Sequence, residues 1–209
     1  SEAINVASKR SKKLNFNKIV FLRSSIDKLP FSKRAFDIIF SEGVLHHTDS
    51  SEKTLSHLCN FLNSNGIFMF YIYKKKSVIR EFTDDYIRNY IQKMLPRDAW
   101  KKLEPLTKLG IELGKLNIEI KIPEKIEILQ IPKGKINLHR LFYWHIFKAF
   151  YDPKLAFSEM HHINFDWYAP KNAHRHSVDE VKTWCKKNNL DIKHLKEENA
   201  GITCVARKK

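Results

Sequence analysis

The sequence predicts an α/β fold built on a mostly parallel sheet, and three observations lead to this prediction. Residues 36–40 form a short apolar run rich in β-branched and aromatic residues, typical of a strand buried on both faces. After Asp49, apolar residues recur at helical spacing, and residues 67–73 form a second apolar run. A strand, a helix and a strand in this order are expected to make a parallel βαβ unit, around which the rest of the chain is organised.

The segments around this unit are predicted in chain order. Residues 1–13 are expected to begin as a helix, with Ser1 as its N-cap, and to end in a basic run. Residues 19–22 have the apolar composition of a strand. Residues 63–66 are expected to form the turn that ends the central helix, because Asn and Gly accept the left-handed backbone conformation.

The stretch 74–170 is expected to be mostly helical. Residues 78–95 predict a helix with one broad apolar face, which Pro96 would end. Residues 100–116 predict a second helix, weakened by two glycines, and residues 138–150 are dense in aromatic side chains. The apolar face of the first helix comprises Ile79, Phe82, Tyr86, Ile87, Tyr90, Ile91, Met94 and Leu95.

Residues 177–209 predict a helix followed by a β-hairpin. Ser177 and Glu180 stand three residues apart, which is the pattern of a capping box at a helix N-terminus. Residues 190–195 alternate as a strand, and residues 202–206 return as the last strand.

The composition is that of a globular protein, with 43% hydrophobic and 12% aromatic residues. Apolar runs are far shorter than the roughly 18 residues that a membrane-spanning helix needs, and no signal-like leader opens the chain. We therefore expect a cytoplasmic protein. The three cysteines, Cys59, Cys185 and Cys204, are widely spaced and include no C-x-x-C pair, which argues against a disulfide framework and against a zinc site.

The chain carries a formal net charge of +15. Such a surplus attracts polyanions, so an RNA-binding or RNA-modifying protein is one interpretation. The alternative is a lysine-rich solvated surface. The basic residues are scattered and form only short runs such as Lys74 to Lys76, and no nucleic-acid recognition module is present, which favours the second interpretation.

The candidate site follows the first strand of the central unit. Ligands of open α/β sheets bind outside the carboxyl ends of the strands, and residues 41–47 lie at such an end. Gly43 has no side chain to block a ligand, and Glu42 could accept a hydrogen bond from an ammonium group. His46 and His47 could titrate near neutral pH, or they could simply cap and pack the turn.

Two phrases of the sequence carry a family resemblance. Residues 36–73, FDIIFSEGVLHHTDSSEKTLSHLCNFLNSNGIFMFYIY, resemble the central block of the class I S-adenosylmethionine-dependent methyltransferases, especially the type 11 group. Residues 21–31, FLRSSIDKLPF, resemble the segment of that family that contacts the adenine. The resemblance implies a Rossmann-like sheet with helices on both faces, S-adenosylmethionine as cofactor, and methyl transfer to an O, N or C atom of a small-molecule substrate.

The resemblance also implies that part of the family's fold is missing from this chain. Ser1 corresponds to a position already inside the fold, and no G-x-G loop occurs in the sequence. We therefore expect an N-terminally truncated cofactor-binding core at 1–73, a helical substrate-cap insert at 74–170, and the end of the core at 171–209. The alternative is a non-catalytic partner subunit, which predicts self-association through an exposed sheet edge.

The family pattern assigns the cofactor-binding residues. Ser25 stands where many relatives carry an aspartate, and its hydroxyl and the backbone amide of Ile26 are expected to contact the adenine. Ser41, Glu42 and Gly43 are expected to lie at the methionine end of the cofactor.

The same pattern assigns the substrate side. Residues 164–177 resemble a family phrase that leads into a helix and forms a wall of the substrate pocket. His46, Asp166 and His174 are the predicted catalytic residues, and Tyr168 and His176 are predicted to contact the substrate. No metal is expected, because transfer from a sulfonium needs only in-line placement and sometimes a base.

Overall fold

A four-stranded mixed sheet forms the centre of the fold in the computed structural model, which describes residues 2–16 and 18–209. Its strands are β1 (Phe36–Glu42), β2 (Leu62–Tyr73), β5 (Leu190–Glu197) and β6 (Gly201–Lys208), in the order β1-β2-β6-β5. β1 and β2 are parallel and are joined by helix α2 (Ser51–Cys59), which confirms the predicted βαβ unit. The other two pairings are antiparallel, so the sheet described here is mixed and not mostly parallel.

β2 begins earlier than predicted and contains an irregularity. The pairing with β1 shifts register between Phe36, opposite Leu62, and Ile38, opposite Ile67. Asn65 has a φ of 65°, the left-handed conformation that asparagine tolerates better than most residues. The predicted left-handed turn residue is therefore present, but it lies within the strand and does not end the helix.

One face of the sheet holds a hydrophobic core. Because successive side chains of a strand point to opposite faces, Phe68, Phe70 and Ile72 of β2 are buried together against α2 and α7 (Val178–Lys187). The other face is open at β1, where the side chains of Ile38 and Phe40 are 57% and 65% exposed.

The N-terminal part confirms one prediction and corrects another. Helix α1 (Glu2–Lys13) forms as expected, and Ser1, the predicted N-cap, lies outside the described residues. Residues 19–22, predicted as a strand, form none, and Val20 is 92% exposed. A strand requires a hydrogen-bonded neighbour, and within the described residues no strand pairs with this segment.

Residues 74–170 contain four α-helices, one short 3-10 helix (Glu127–Leu129) and a small hairpin. The α-helices are α3 (Val78–Ile91), α4 (Pro96–Leu116), α5 (Leu138–His145) and α6 (Phe157–Tyr168), and the hairpin pairs β3 (Glu119–Ile122) with β4 (Gly134–Asn137). Pro96 was predicted to end α3, but it begins α4 instead. Its fixed φ suits the first turn of a helix. None of the helices described is long and apolar enough to cross a membrane.

Helix α3 buries only part of the apolar face that the sequence predicts, since Ile91 lies in a hydrophobic cluster but other members of the face are exposed. Phe82 and Tyr86 are 73% and 64% exposed, whereas Arg80, Asp84 and Arg88 are buried. The three buried charged residues stand four apart and so share one face of the helix. Charged side chains can be buried here because α5 and α6 supply partners for their hydrogen bonds.

The C-terminal helix and hairpin form as predicted. Ser177 Oγ accepts a hydrogen bond from the Glu180 amide at 3.2 Å, and Glu180 Oε2 accepts one from the Ser177 amide at 2.7 Å. This reciprocal pair is the predicted capping box of α7.

Candidate active site

The turn after β1 combines an open backbone position with a buried hydroxyl. Gly43 has a φ of 70°, and apart from its two chain neighbours no described residue has a heavy atom within 4 Å of the place where a Cβ would project. Ser41 is buried, and its Oγ has no hydrogen-bond partner among the described residues. Glu42 between them is exposed. These residues leave room and an unsatisfied polar group for a ligand at the carboxyl end of β1.

His46 is fully buried next to this turn. Its ring stacks on Tyr73 with centroids 3.6 Å apart, and its Nδ1 accepts a hydrogen bond from the Tyr73 amide at 3.2 Å. Burial, and then the neighbouring His47, lower the pKa of His46 to about 3. The ring is therefore neutral with its proton on Nε2, which has no partner among the described residues.

His174 lies beside His46, and one of its ring nitrogens, Nδ1, has no hydrogen-bond partner among the described residues. Its amide donates to the His46 carbonyl oxygen at 2.9 Å, and its Nε2 lies 3.0 Å from the Thr48 carbonyl oxygen. A carbonyl oxygen only accepts, so Nε2 carries the proton and Nδ1 keeps a lone pair. His174 lines an open groove of about 540 Å³ between α2 and α7, and also a polar groove of about 300 Å³ beside Arg88.

His176 ties the segment before α7 to the end of β2. Its amide donates to the Tyr73 carbonyl oxygen at 2.9 Å, and its Nε2 lies 2.8 Å from Ser51 Oγ. Its ring packs edge-on against Trp184 with centroids 4.6 Å apart. The structure thus brings three of the predicted residues, His46, His174 and His176, to the carboxyl ends of β1 and β2.

Asp166 and Tyr168 lie elsewhere. Both belong to α6, where the sequence predicted a segment leading into a helix. Asp166 is exposed and lies 3.2 Å from His162 Nε2. Tyr168 has no exposed surface, and its hydroxyl lies 3.2 Å from Asp84 Oδ1, so burial raises its pKa well above the usual value. In this arrangement Tyr168 packs inside the helical region and does not line a groove.

The predicted adenine segment is an exposed turn. The hydroxyl of Ser25 donates to the carboxylate of Asp27, and this bond lowers the pKa of Asp27. The side chain of Ile26 packs against the core. The family pattern expects a carboxylate at the position of Ser25, and this chain has one two residues later, at Asp27.

Sequence reasoning missed several residues beside the site. Tyr73 stacks on His46, and its ring lies 4.8 Å from that of Trp167. Around Trp167 lie Arg88 and Lys148. The alternating charges at 80, 84 and 88, four residues apart on one helix, were a signal in the sequence for a buried ionic cluster. No signal marked Lys148.

The mixed sheet with its helices and this turn define an α/β protein with a candidate ligand position at the carboxyl end of β1. A family model described as a methyltransferase domain matches residues 1–109, just over half of the chain. The chain belongs to this family, within the class I S-adenosylmethionine-dependent methyltransferases. None of the curated proteins matches the chain.

Solved structures of similar fold are only distantly related in sequence. A possible exported protein from Bordetella parapertussis is 10% identical with a TM-score of 0.51, and the match covers 100% of this chain and 50% of that one. A SAM-dependent methyltransferase from Aquifex aeolicus is 11% identical with a TM-score of 0.46, and covers 100% and 65%. A putative methyltransferase from Bacillus halodurans is 9% identical with a TM-score of 0.49, and covers 100% and 79%. The chain thus spans half the length of the first structure and 65% of the second.

Proposed function

We propose that this chain forms part of an enzyme that transfers a methyl group from S-adenosylmethionine to an O, N or C atom of a small molecule. The observation that carries the proposal is the open position at Gly43 beside the Ser41 hydroxyl, which has no hydrogen-bond partner in the part of the chain that the structure describes. It lies at the carboxyl end of a parallel strand, where α/β sheets bind ligands. The match to the methyltransferase family supports S-adenosylmethionine as the ligand of this turn.

The residues of the turn fit one end of the cofactor. In the proposal, Ser41 Oγ and the exposed Glu42 carboxylate hold the methionine end, since a carboxylate accepts hydrogen bonds from an ammonium group. Ser25 and the amide of Ile26 contact the adenine. S-adenosylmethionine, when bound, supplies an electrophilic methyl group.

The histidines have different roles in this proposal. His46 is neutral, and its Nε2–H can donate a hydrogen bond that orients a ligand; it is not placed to take up a proton at Nε2. His174 Nδ1 keeps its lone pair and the residue lines two grooves, so His174 is the candidate base for deprotonating the acceptor. His176 holds the segment that carries His174.

The proposal keeps the predicted organisation of the chain. Residues 1–73 and 171–209 belong to the cofactor-binding core, and residues 74–170 form a cap on the substrate side. In the whole protein, the Rossmann-like sheet would continue with parallel strands beyond β1 and with helices on its open face. Asp166, which is exposed on α6, would contact the acceptor only from the rim of the cap.

A partner subunit without catalytic activity is the second candidate. It is favoured by the exposure of Ile38 and Phe40 on β1, which has no second strand beside it among the described residues. An open apolar strand edge can pair with another chain.

Calorimetric binding of S-adenosylmethionine tests the proposal. The 209-residue chain is compared with a chain extended upstream by the residues that its gene encodes. We expect the extended chain to bind, and Gly43→Val to weaken binding by about tenfold or more, because a β-branched residue is strained at this φ and fills the open position.

Gly134→Val is the matched control. Gly134 also has a positive φ, of 133°, and open surroundings, but it lies on β4, away from this turn. Equal losses in both variants would contradict the assignment of Gly43. If neither chain binds while both are folded, the enzyme proposal is wrong and the partner-subunit candidate replaces it.

A further inference from the structure

Three cationic side chains surround the ring of Trp167. The guanidinium carbons of Arg80 and Arg88 lie 5.4 and 5.3 Å from its centroid, and Lys148 Nζ lies 4.6 Å from it. Cations at such distances are attracted by the electron-rich face of an indole. The three charges converge from two different parts of the chain, α3 and the segment after α5.

The positive charge of this cluster is not balanced. Arg80 is paired with Asp84 at 2.8 Å. Among the residues that the structure describes, no carboxylate lies within 4.0 Å of Arg88 or of Lys148. Arg88 is only 5% exposed, and its Nε has no hydrogen-bond partner there. Burying a cation without a counter-charge costs free energy, so a bound anion would stabilise this region.

The cluster is continuous with the candidate active site. Trp167 contacts Tyr73, and Tyr73 stacks on His46 next to the turn after β1. Arg88 also lines the groove of about 300 Å³ that contains His174. Lys148 has an intermediate exposed fraction as a whole residue, and its ammonium group lies over the Trp167 ring.

The backbone of Lys148 is held in place by α6. The hydroxyl oxygen of Tyr168 accepts a hydrogen bond from the Lys148 amide at 2.9 Å and lies 3.0 Å from the Lys148 carbonyl oxygen. The same hydroxyl lies 3.2 Å from the buried carboxylate of Asp84. The backbone of Lys148 is therefore fixed by the buried hydroxyl of Tyr168.

We propose that Lys148 and Arg88 bind a carboxylate group of the methyl acceptor, whose apolar part packs against Trp167 and Tyr73. The substrate class would then be a small aromatic or apolar acid. This inference rests on the proposed function, because it assigns the acceptor of that reaction, but anion binding itself does not require the cofactor.

The protonation state of Lys148 gives the proposal a measurable signature. Burial, and then the charge of Arg80, lower the pKa of Lys148 to about 7; Arg88 acts in the same direction, and Asp84 and Asp166 oppose it. Near neutral pH the amine is therefore only partly protonated. A bound carboxylate favours the charged form and raises this pKa, so binding draws a proton from the buffer.

The test is calorimetric titration of the 209-residue chain with benzoate, and with benzamide as its neutral analogue, without cofactor. Each titration is performed near pH 7.5 in two buffers of different ionisation enthalpy. We expect benzoate to bind with net proton uptake and benzamide to bind at least about tenfold more weakly. Equal binding of both probes, or no binding of benzoate, would overturn the proposal.

Two substitutions assign the effect to Lys148. Lys148→Met removes the charge and should weaken benzoate binding by about tenfold or more, whereas Lys154→Met, at an exposed lysine nearby, should leave it unchanged. Lys148→Arg keeps the charge, and because arginine does not lose its proton, benzoate should bind without proton uptake. Near-UV circular dichroism shows whether each variant is folded.

The arginine variant keeps the proposal testable if the methionine variant does not fold. Proton uptake in Lys148→Arg equal to that of the unmodified chain would contradict the assignment. Because no cofactor is present, failure here leaves the proposed methyl transfer standing, and failure of the extended chain to bind S-adenosylmethionine does not change the benzoate result.

Discussion

His46 illustrates how a residue's surroundings decide its chemistry. From its type alone it could titrate near neutral pH. In the fold it is stacked on Tyr73, fully buried, and hydrogen-bonded through Nδ1, and burial is the first cause of its low pKa. His174 lies in different surroundings: its Nε2 is hydrogen-bonded to the Thr48 carbonyl oxygen, its Nδ1 has no partner among the described residues, and the residue lines an open groove.

The low pKa of His46 predicts a pH dependence of stability. Its pKa is about 3 in the folded chain, against a usual 6.5. As the pH falls below 6.5 the unfolded chain takes up this proton first, so the free energy of unfolding falls toward pH 3, by up to about 1.4 kcal/mol per pH unit from this group. Urea unfolding at several pH values between 7 and 4 measures the slope.

We expect His46→Asn to flatten this slope, because an asparagine oxygen can replace Nδ1 as acceptor without titrating. His194→Asn, at an exposed histidine of β5, is the control and should follow the unmodified chain. If the slopes of His46→Asn and the unmodified chain are the same, another group causes the loss of stability.

At the scale of elements, the packing of α3 against α6 depends on one buried carboxylate. Asp84 lies 2.8 Å from Arg80 Nε and accepts a hydrogen bond from Trp167 Nε1 at 3.0 Å. Tyr168 completes the group of partners. The helix therefore orients its charged face inward and leaves Phe82 and Tyr86 exposed.

Removal of this carboxylate should be strongly destabilising. Asp84→Ala leaves Arg80 buried without its counter-charge, and we expect a loss of about 3–5 kcal/mol in the free energy of unfolding. Glu112→Ala, which removes a carboxylate paired with Lys115 on the surface of α4, should cost less than about 1 kcal/mol. Urea unfolding monitored by tryptophan fluorescence compares the two variants, and similar losses would show that the cluster does not hold α3 in place.

At the scale of the whole molecule, the two faces of the sheet are unequal. One face is covered by α2 and α7, whereas Ile38 and Phe40 are exposed on the other. The segment 19–22 is exposed as well. Apolar surface of this kind tends to be covered by another protein segment.

The 209-residue chain by itself is therefore expected to self-associate through β1. Phe40→Lys should weaken association by about tenfold or more, since a charged side chain on an edge strand opposes pairing and burial. Phe82→Lys, at a similarly exposed aromatic residue on α3, is the control. Sedimentation velocity over a range of concentrations measures the effect, and a chain that stays monomeric throughout would contradict this prediction.

Local pattern was enough to predict the βαβ unit, the capping box of α7 and the C-terminal hairpin, because strand periodicity, helix spacing and capping act between residues close in sequence. It also located the turn at 41–47. The burial of Arg80, Asp84 and Arg88, the placement of Tyr168 away from the histidines, and the absence of a strand at 19–22 depend on neighbours distant in sequence. Only the tertiary structure decides these three features. A buried charge needs a partner and a strand needs a hydrogen-bonded neighbour, and the residues next to them in sequence do not show whether either is present.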